Sequence, residues 1–96
     1  AGPLFFAVAG ELLETLKRSG GAPRVLILRL RFVPFLDAEG GAALLAIVDD
    51  ALAGGARVIL AGLQPQPEAM LTGLRPGLWL ATERAIDYPA ALHAAA

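Results

Sequence analysis

The feature that most constrains the fold is the segment at residues 24–33, RVLILRLRFV. Through its first half, both alternating sets of side chains are apolar. Because successive side chains of a strand point to opposite faces, such a strand has to be covered on both sides. Pro34 is expected to end it, since proline has no backbone N–H to donate to a sheet. The segment therefore predicts a strand with packing layers on both faces.

Helical periodicity and glycine or proline punctuation divide the rest of the chain into alternating elements. Asp37 and Asp87 are predicted helix N-caps, and Gly54-Gly55 is a predicted helix stop. The predicted strands cover residues 3–6, 24–33, 57–61 and 78–81, and the predicted helices cover residues 7–19, 38–53, 65 to about 73–77, and from 88 onward. This alternation predicts an α/β domain with a largely parallel sheet and right-handed crossovers.

Function in such sheets concentrates in the loops after the carboxyl ends of the strands. Two stretches qualify here, residues 33–41 and residues 62–68. The candidate partner-binding residues of the first are Asp37, Ala38, Glu39, Gly40 and Gly41, and those of the second are Leu63, Gln64, Pro65 and Gln66.

The first stretch has two interpretations. Asp37 and Glu39 lie at a predicted helix start, where the helix dipole favours negative charge. Gly40 and Gly41 are unfavourable inside a helix, so we expect a close neighbour there, such as the sheet. Alternatively, the two carboxylates form an acid–base pair or half a magnesium site. Side chains at i and i+2 diverge on a helix and no third ligand is evident, so no catalytic or metal site is predicted.

The second stretch lacks the glycine series and the lysine of a phosphate-binding loop, which leaves a plain connector or a partner contact. Arg29 and Arg31 are predicted to share a strand face and to pair with carboxylates or extend into solvent, the alternative being an anion site near Glu39. His93 is predicted to be solvated and Trp79 to pack in the structure.

The composition excludes several function classes. Eight Lys and Arg against nine Asp and Glu provide no broad basic field, so no nucleic-acid partner is expected. Without cysteine there is no disulfide, thiolate metal site or cysteine nucleophile. No window of about 18–20 residues is free of charges and helix breakers, as a membrane span would require. No signal peptide is expected in the opening segment, because it has no basic n-region and too short an apolar core. The sequence contains no GxGxxG, HExxH or GxSxG motif.

Residues 26–40, LILRLRFVPFLDAEG, resemble the strand–loop–helix signature of STAS domains, in which a hydrophobic strand leads into Asp-Ser/Ala-Ser/Thr-Gly. Residues 2–7 and 55–63 are similar to the cytoplasmic STAS domain at the C-terminus of SulP-type (sulfate permease) anion transporters. The resemblance covers nearly the whole chain. It implies a single domain over residues 1–96 with a STAS-like (anti-sigma-factor-antagonist-like) fold, a mostly parallel four- to five-stranded sheet with packed helices.

The family usually begins with one more strand before the segment at residues 2–7, so the resemblance implies that this chain lacks the family's first strand. The chain also lacks an initial methionine, so we expect a piece of a larger protein.

The resemblance implies a non-enzymatic regulatory or protein-interaction domain of a SulP-type transporter, at the cytoplasmic face of the inner or plasma membrane. Its expected partners are the transmembrane domain of the same polypeptide or another cytoplasmic protein. Two alternatives remain open: a free-standing anti-sigma-factor antagonist, or a nucleotide-binding sensor module. No cofactor is expected outside the nucleotide of the last alternative, and a homodimer is left open.

The resemblance also implies that, in free-standing relatives, this loop is a phosphorylation switch that controls binding to an anti-sigma-factor kinase. One departure from the family pattern affects that switch. The phosphoacceptor position of the motif falls on Glu39, and Ala38 precedes it, so neither position carries a hydroxyl. Phosphoserine has a charge of about −1.5 to −2, whereas glutamate brings −1. The loop is therefore expected to stay unphosphorylated, with Glu39 either a permanent substitute for phosphate or the mark of a lost switch. We interpret this turn as a docking surface with permanent negative charge.

Overall fold

The computed structural model describes residues 13–16 and 25–96. The strands are β1 (Leu13–Leu16), β2 (Val25–Arg29), β3 (Arg57–Ala61) and β4 (Glu83–Ala85), and the helices are α1 (Ala38–Ala53), α2 (Pro65–Leu74), α3 (Leu78–Ala81) and α4 (Tyr88–Ala95).

The four strands form one sheet in the order β1-β2-β3-β4. β1 pairs antiparallel with β2, whereas β2 with β3 and β3 with β4 are parallel. In the register, Leu28 of β2 lies beside Leu60 of β3, which lies beside Arg84 of β4. The predicted α/β class with a mostly parallel sheet is confirmed.

Both faces of β2 are covered, as the sequence predicts. Leu26 and Leu28 belong to a cluster with the buried faces of α1, α2 and α3. Val25 and Ile27 belong to a second cluster, to which α4 contributes the buried side chains of Ala91 and Ala95, and Tyr88 packs against it. In the described part of the chain, the sheet therefore lies between a layer formed by α1, α2 and α3 and a layer formed by α4.

The predicted helix over residues 7–19 is wrong at Leu13–Leu16, which forms strand β1. Pairing with β2 gives these residues a long-range ladder, from Leu13 beside Leu28 to Leu16 beside Val25. That ladder satisfies backbone groups along the edge of β2 that β3 does not occupy, and it outweighs a weak helical periodicity. The rest of this prediction, and the strand over residues 3–6, lie outside the described residues.

The predicted strand over residues 78–81 is also wrong, since this segment is the one-turn helix α3. A strand would place Leu78 and Leu80 on one face, but Leu78 is buried and Leu80 is 94% exposed. The Leu80 N–H donates to the Gly77 carbonyl, and the Thr82 hydroxyl donates to the Leu78 carbonyl. The fourth strand begins later, at Glu83, where an ion pair with Arg57 aligns it with β3.

β2 is shorter than predicted. The strand ends at Arg29, and a turn follows in which the Val33 N–H donates to the Leu30 carbonyl at 3.0 Å. Pro34 lies beyond this turn and does not end the strand. By contrast, α1 and β3 have the predicted bounds, and Gly54 ends α1 with Gly55 at a positive φ of 86°.

Candidate functional site

The loop at residues 30–37, here called the β2–α1 loop, alternates buried anchors with exposed aromatic rings. Leu30, Val33 and Leu36 are buried and belong to the main core cluster. Between them, Phe32 is 74% exposed and Phe35 is 65% exposed. The spacing of three residues thus anchors the loop to the core while presenting two phenylalanines at the carboxyl end of β2.

Asp37 begins α1 as its N-cap, as predicted. Its Oδ1 accepts a hydrogen bond from the Gly40 N–H at 2.6 Å, and this bond lowers the pKa of the Asp37 carboxyl. Glu39 follows in the first turn with an exposed side chain, next to exposed Ala38. The start of α1 therefore presents two carboxylates to solvent, one of them held by the helix end.

Gly41 has the close neighbour that its position in a helix predicts, but that neighbour is not the sheet. A Cβ at Gly41 would lie 2.7 Å from Leu74 Cδ1 and 3.2 Å from Met70 Cγ, both on α2. Gly40 is buried beside it, and its N–H serves the cap. Gly41 thus lets the first turn of α1 approach α2, and the expected packing on the sheet is corrected at this position.

The two predicted loops meet through glutamine side chains. Gln66 Oε1 accepts a hydrogen bond from the Leu36 N–H at 2.7 Å, and Gln66 Nε2 donates to the Leu36 carbonyl at 2.9 Å. Gln64 Nε2 donates to the Arg31 carbonyl at 2.5 Å. The start of α2 is therefore bonded to the β2–α1 loop at two places.

Gly62 joins the same region. It has a φ of 71°, and a Cβ there would lie 3.1–3.3 Å from Arg31 Cβ, Cα and N. Its N–H donates to the Ala85 carbonyl at 3.0 Å. Any larger residue would be strained in this left-handed conformation and crowded by Arg31, so glycine allows three chain segments to converge at the carboxyl edge of the sheet.

A shallow cleft of about 270 Å³ lies at the carboxyl ends of β3 and β4. Its lining residues are Leu63, Glu68, Arg84, Ala85 and Ile86. Arg84 pairs with Glu68 at 2.8 Å across this cleft. Its volume lies just below the range of about 300–1,000 Å³ that is usual for small-molecule sites.

Trp79 has the packing role that the sequence predicts. It packs against the main core cluster, and its Nε1–H donates to the Thr72 hydroxyl at 2.9 Å. The Arg84 guanidinium lies 3.8 Å from the centre of the Trp79 ring, within cation–π range. Trp79 thus supports one side of Arg84 while Glu68 holds the other.

The arginines at the end of β2 differ from their predicted arrangement. Arg29 lies over the Tyr88 ring at 3.8 Å, whereas Arg31 lies in the turn beyond the strand, 5.2 Å from the Phe32 ring. The two do not share a strand face. The ion pairs among the described residues involve neither of them, so the predicted carboxylate partners are not found there. Both side chains extend into solvent, the other predicted outcome, and so does His93.

Within residues 13–16 and 25–96, no group of three or more acidic or histidine side chains is placed to hold a metal ion. In the same part of the chain, no helix has the length and apolar character needed to cross a bilayer. The sequence did not single out Phe32, Phe35 or the role of Gln66. The only signal for Gln66 is its position between two prolines.

The fold and the site define an α/β domain that presents loops at the carboxyl edge of a mostly parallel sheet. A family model described as "STAS domain" matches residues 1–79. The chain therefore belongs to the STAS domain family, whose members are generally regulatory domains without enzymatic activity. No curated protein and no solved structure matches the chain.

Proposed function

We propose that this chain is a non-enzymatic regulatory domain that binds a protein partner through the β2–α1 loop and the first turn of α1. The observation that carries the proposal is the exposure of Phe32 and Phe35 on a loop whose backbone is anchored on both sides. Large apolar side chains held rigidly in a polar surrounding are typical of protein-interaction sites, where aromatic residues contribute much of the affinity.

The charge at this surface supports docking rather than chemistry. Asp37 uses its carboxylate as a helix cap, and Glu39 lies beside it with an exposed side chain. Neither Ala38 nor Glu39 can accept a phosphoryl group through a hydroxyl. The surface therefore combines an apolar part, at the phenylalanines, with a negative part that a hydroxyl-directed kinase cannot alter.

We further propose that the domain belongs to a SulP-type inorganic anion transporter at the cytoplasmic face of its membrane. The support is the similarity of residues 2–7 and 55–63 to that group and the absence of a phosphoacceptor hydroxyl at position 39. Its partner would be the transmembrane domain of the same polypeptide or another cytoplasmic protein. The reading frame upstream of Ala1 tests this: successive apolar spans of about 20 residues support it, and a nearby start codon contradicts it.

The docking surface is tested by binding to the transmembrane part that such a reading frame encodes. The variant F32S/F35S should weaken binding about tenfold or more. Aromatic side chains that become buried at the centre of an interface typically contribute more than about 1.4 kcal/mol to the binding free energy. Leu80→Ser is the matched control, because Leu80 is also exposed but lies in α3, outside the β2–α1 loop. Equal affinities for F32S/F35S and the unsubstituted chain would contradict the docking surface.

The rival function, an anti-sigma-factor antagonist that is switched by phosphorylation, predicts phosphate on this loop. We expect the opposite: incubation with an anti-sigma-factor kinase and ATP should leave residues 37–41 of the unsubstituted chain without phosphate, as measured by mass spectrometry. Glu39→Ser restores a hydroxyl and tests whether the loop is otherwise a substrate. Phosphate found between Asp37 and Gly41 of the unsubstituted chain would refute the fixed-charge docking surface.

A further inference from the structure

A single side chain, that of Gln66, forms two hydrogen bonds between the start of α2 and the β2–α1 loop. Gln66 satisfies both backbone polar groups of Leu36, with its Oε1 accepting from the N–H and its Nε2 donating to the carbonyl. The Leu36 side chain is buried at 3% exposure, so this residue is the inner anchor of the loop beside Phe35. Loss of Gln66 would leave these partly buried backbone groups without their partners, which is costly.

Gln66 is held in a fixed place by its neighbours. Pro65 and Pro67 flank it in the first turn of α2, and the proline rings restrict the backbone there. Pro67 is itself buried, so the turn is anchored in the core. The glutamine side chain therefore extends from a rigid base towards Leu36.

A second glutamine holds the other end of the same segment. Gln64 donates to the carbonyl of Arg31, which directly precedes Phe32, while Gln66 bonds Leu36, which directly follows Phe35. The two bonded residues thus lie immediately outside the exposed aromatic pair. Any displacement of the start of α2 must either carry this segment with it or break these bonds.

We propose that Gln66 is a positioning residue that couples the β2–α1 loop to the start of α2, so that the two act as one recognition unit. Through Gln66 the position of α2 sets the position of Phe35. A partner that contacts residues 63–66 therefore changes how the phenylalanines are presented, because the β2–α1 loop and the start of α2 shift together between the same conformations. The consequence for partner binding rests on the docking function proposed above, whereas the coupling itself does not.

Amide hydrogen exchange on the whole chain tests the coupling. Gln66→Met keeps a similar length but removes both bonds, and we expect the Leu36 N–H to exchange about tenfold faster or more. The Leu60 N–H in β3 should keep its rate, since the sheet does not depend on Gln66. Gln64→Met is the matched control, because it removes a glutamine bond to the same loop but leaves the Leu36 N–H bonded.

An unchanged Leu36 rate in folded Gln66→Met overturns the proposal. An equal acceleration at Leu60 also overturns it, because Gln66 would then stabilise the whole fold rather than position the loop. If this variant does not fold, scalar couplings across the two hydrogen bonds in the unsubstituted chain decide: their presence supports the coupling, and their absence overturns it.

The two proposals fail separately. Faster Leu36 exchange in Gln66→Met, together with normal partner binding by F32S/F35S, leaves the coupling in place and removes the docking surface. Unchanged exchange together with weakened binding by F32S/F35S removes the coupling and leaves the docking surface.

Discussion

The sheet is stabilised differently at the amino ends of its parallel strands, here called the amino edge, and at their carboxyl ends, the carboxyl edge. At the amino edge, Arg57 begins β3 and Glu83 begins β4, and the two side chains share hydrogen bonds of 2.9 and 2.6 Å. Arg57 also donates to the Ala94 carbonyl at the end of α4, at 3.1 Å. At this edge, the Arg57 guanidinium thus donates both to a carboxylate and to a backbone carbonyl at the end of a helix.

At the carboxyl edge, neutral groups hold the β2–α1 loop, whereas Arg84 and Glu68 form an ion pair at the neighbouring cleft. Gln64 and Gln66 bond to the β2–α1 loop, and Gly62 lets the chain segments converge. This arrangement anchors the backbone while the side chains of Phe32, Phe35 and Ile86 remain exposed. An edge anchored through its backbone can thus leave large side chains exposed to solvent at the carboxyl ends of parallel strands, where binding sites usually lie.

The largest effect is expected at the carboxyl edge, where Gly62 lies close to the backbone of Arg31. Gly62→Ala should lower the free energy of unfolding by about 2–4 kcal/mol, combining the left-handed backbone penalty with crowding against Arg31. Gly55→Ala is the matched control, because Gly55 has a similar positive φ with nothing within 4 Å of a Cβ. Urea denaturation measures both, and equal losses would show that the approach to Arg31 costs nothing.

The contact between α1 and α2 gives the next effect. Gly73→Ala, in open space on α2, should raise the free energy of unfolding by up to about 1 kcal/mol through helix propensity. The free energy of unfolding of Gly41→Ala should be about 1–2 kcal/mol lower than that of Gly73→Ala, because the added Cβ would crowd Leu74 and Met70. Thermal and urea denaturation of the two variants compare them directly. A gain at Gly41 equal to that at Gly73 would mean that α1 and α2 do not approach closely there.

The amino edge should respond to pH. The Arg57 guanidinium lowers the pKa of the Glu83 carboxyl, so the pair stabilises the fold above the ordinary glutamate pKa of 4.5. That contribution is lost as the pH falls through the lowered pKa. The side chains are 39% and 43% exposed, so solvent screening limits the contribution to about 1 kcal/mol or less.

Glu83→Gln should therefore lower the free energy of unfolding at pH 7 and leave it unchanged at low pH, as followed by urea denaturation across the pH range. Glu39→Gln at the carboxyl edge is the control, since Glu39 forms no ion pair with a described residue. If both variants show the same pH profile, the difference between the two edges does not lie in the ion pair.

The smallest expected effect concerns the aromatic pair. F32S/F35S should change the free energy of unfolding by no more than about 0.5 kcal/mol per substitution, because both rings are mostly exposed. Leu80→Ser should behave alike. A loss well above this value at the phenylalanines would place them among the residues that stabilise the fold, which would remove the main argument for a docking surface.

Local signals predicted the bounds of α1 correctly. Asp37 supplies a cap within its own turn, and Gly54-Gly55 stops the helix, so both ends depend on residues that are near in sequence. The predicted site loops also lie at the carboxyl edge, as parallel topology requires. What the sequence could not show is that Gln66 reaches Leu36, thirty positions away, because an exposed glutamine and a bonded one have the same sequence pattern.

The sequence by itself determined the α/β class, the covered central strand, the caps of α1 and α4, and the membership of the STAS family. Only the tertiary structure decided that Leu13–Leu16 and Glu83–Ala85 are strands, and that the two loops are bonded together. The physical reason is that caps and glycine stops act within a turn. Edge strands and loop contacts instead take their hydrogen-bond partners from distant segments, which exist only once the sheet has formed.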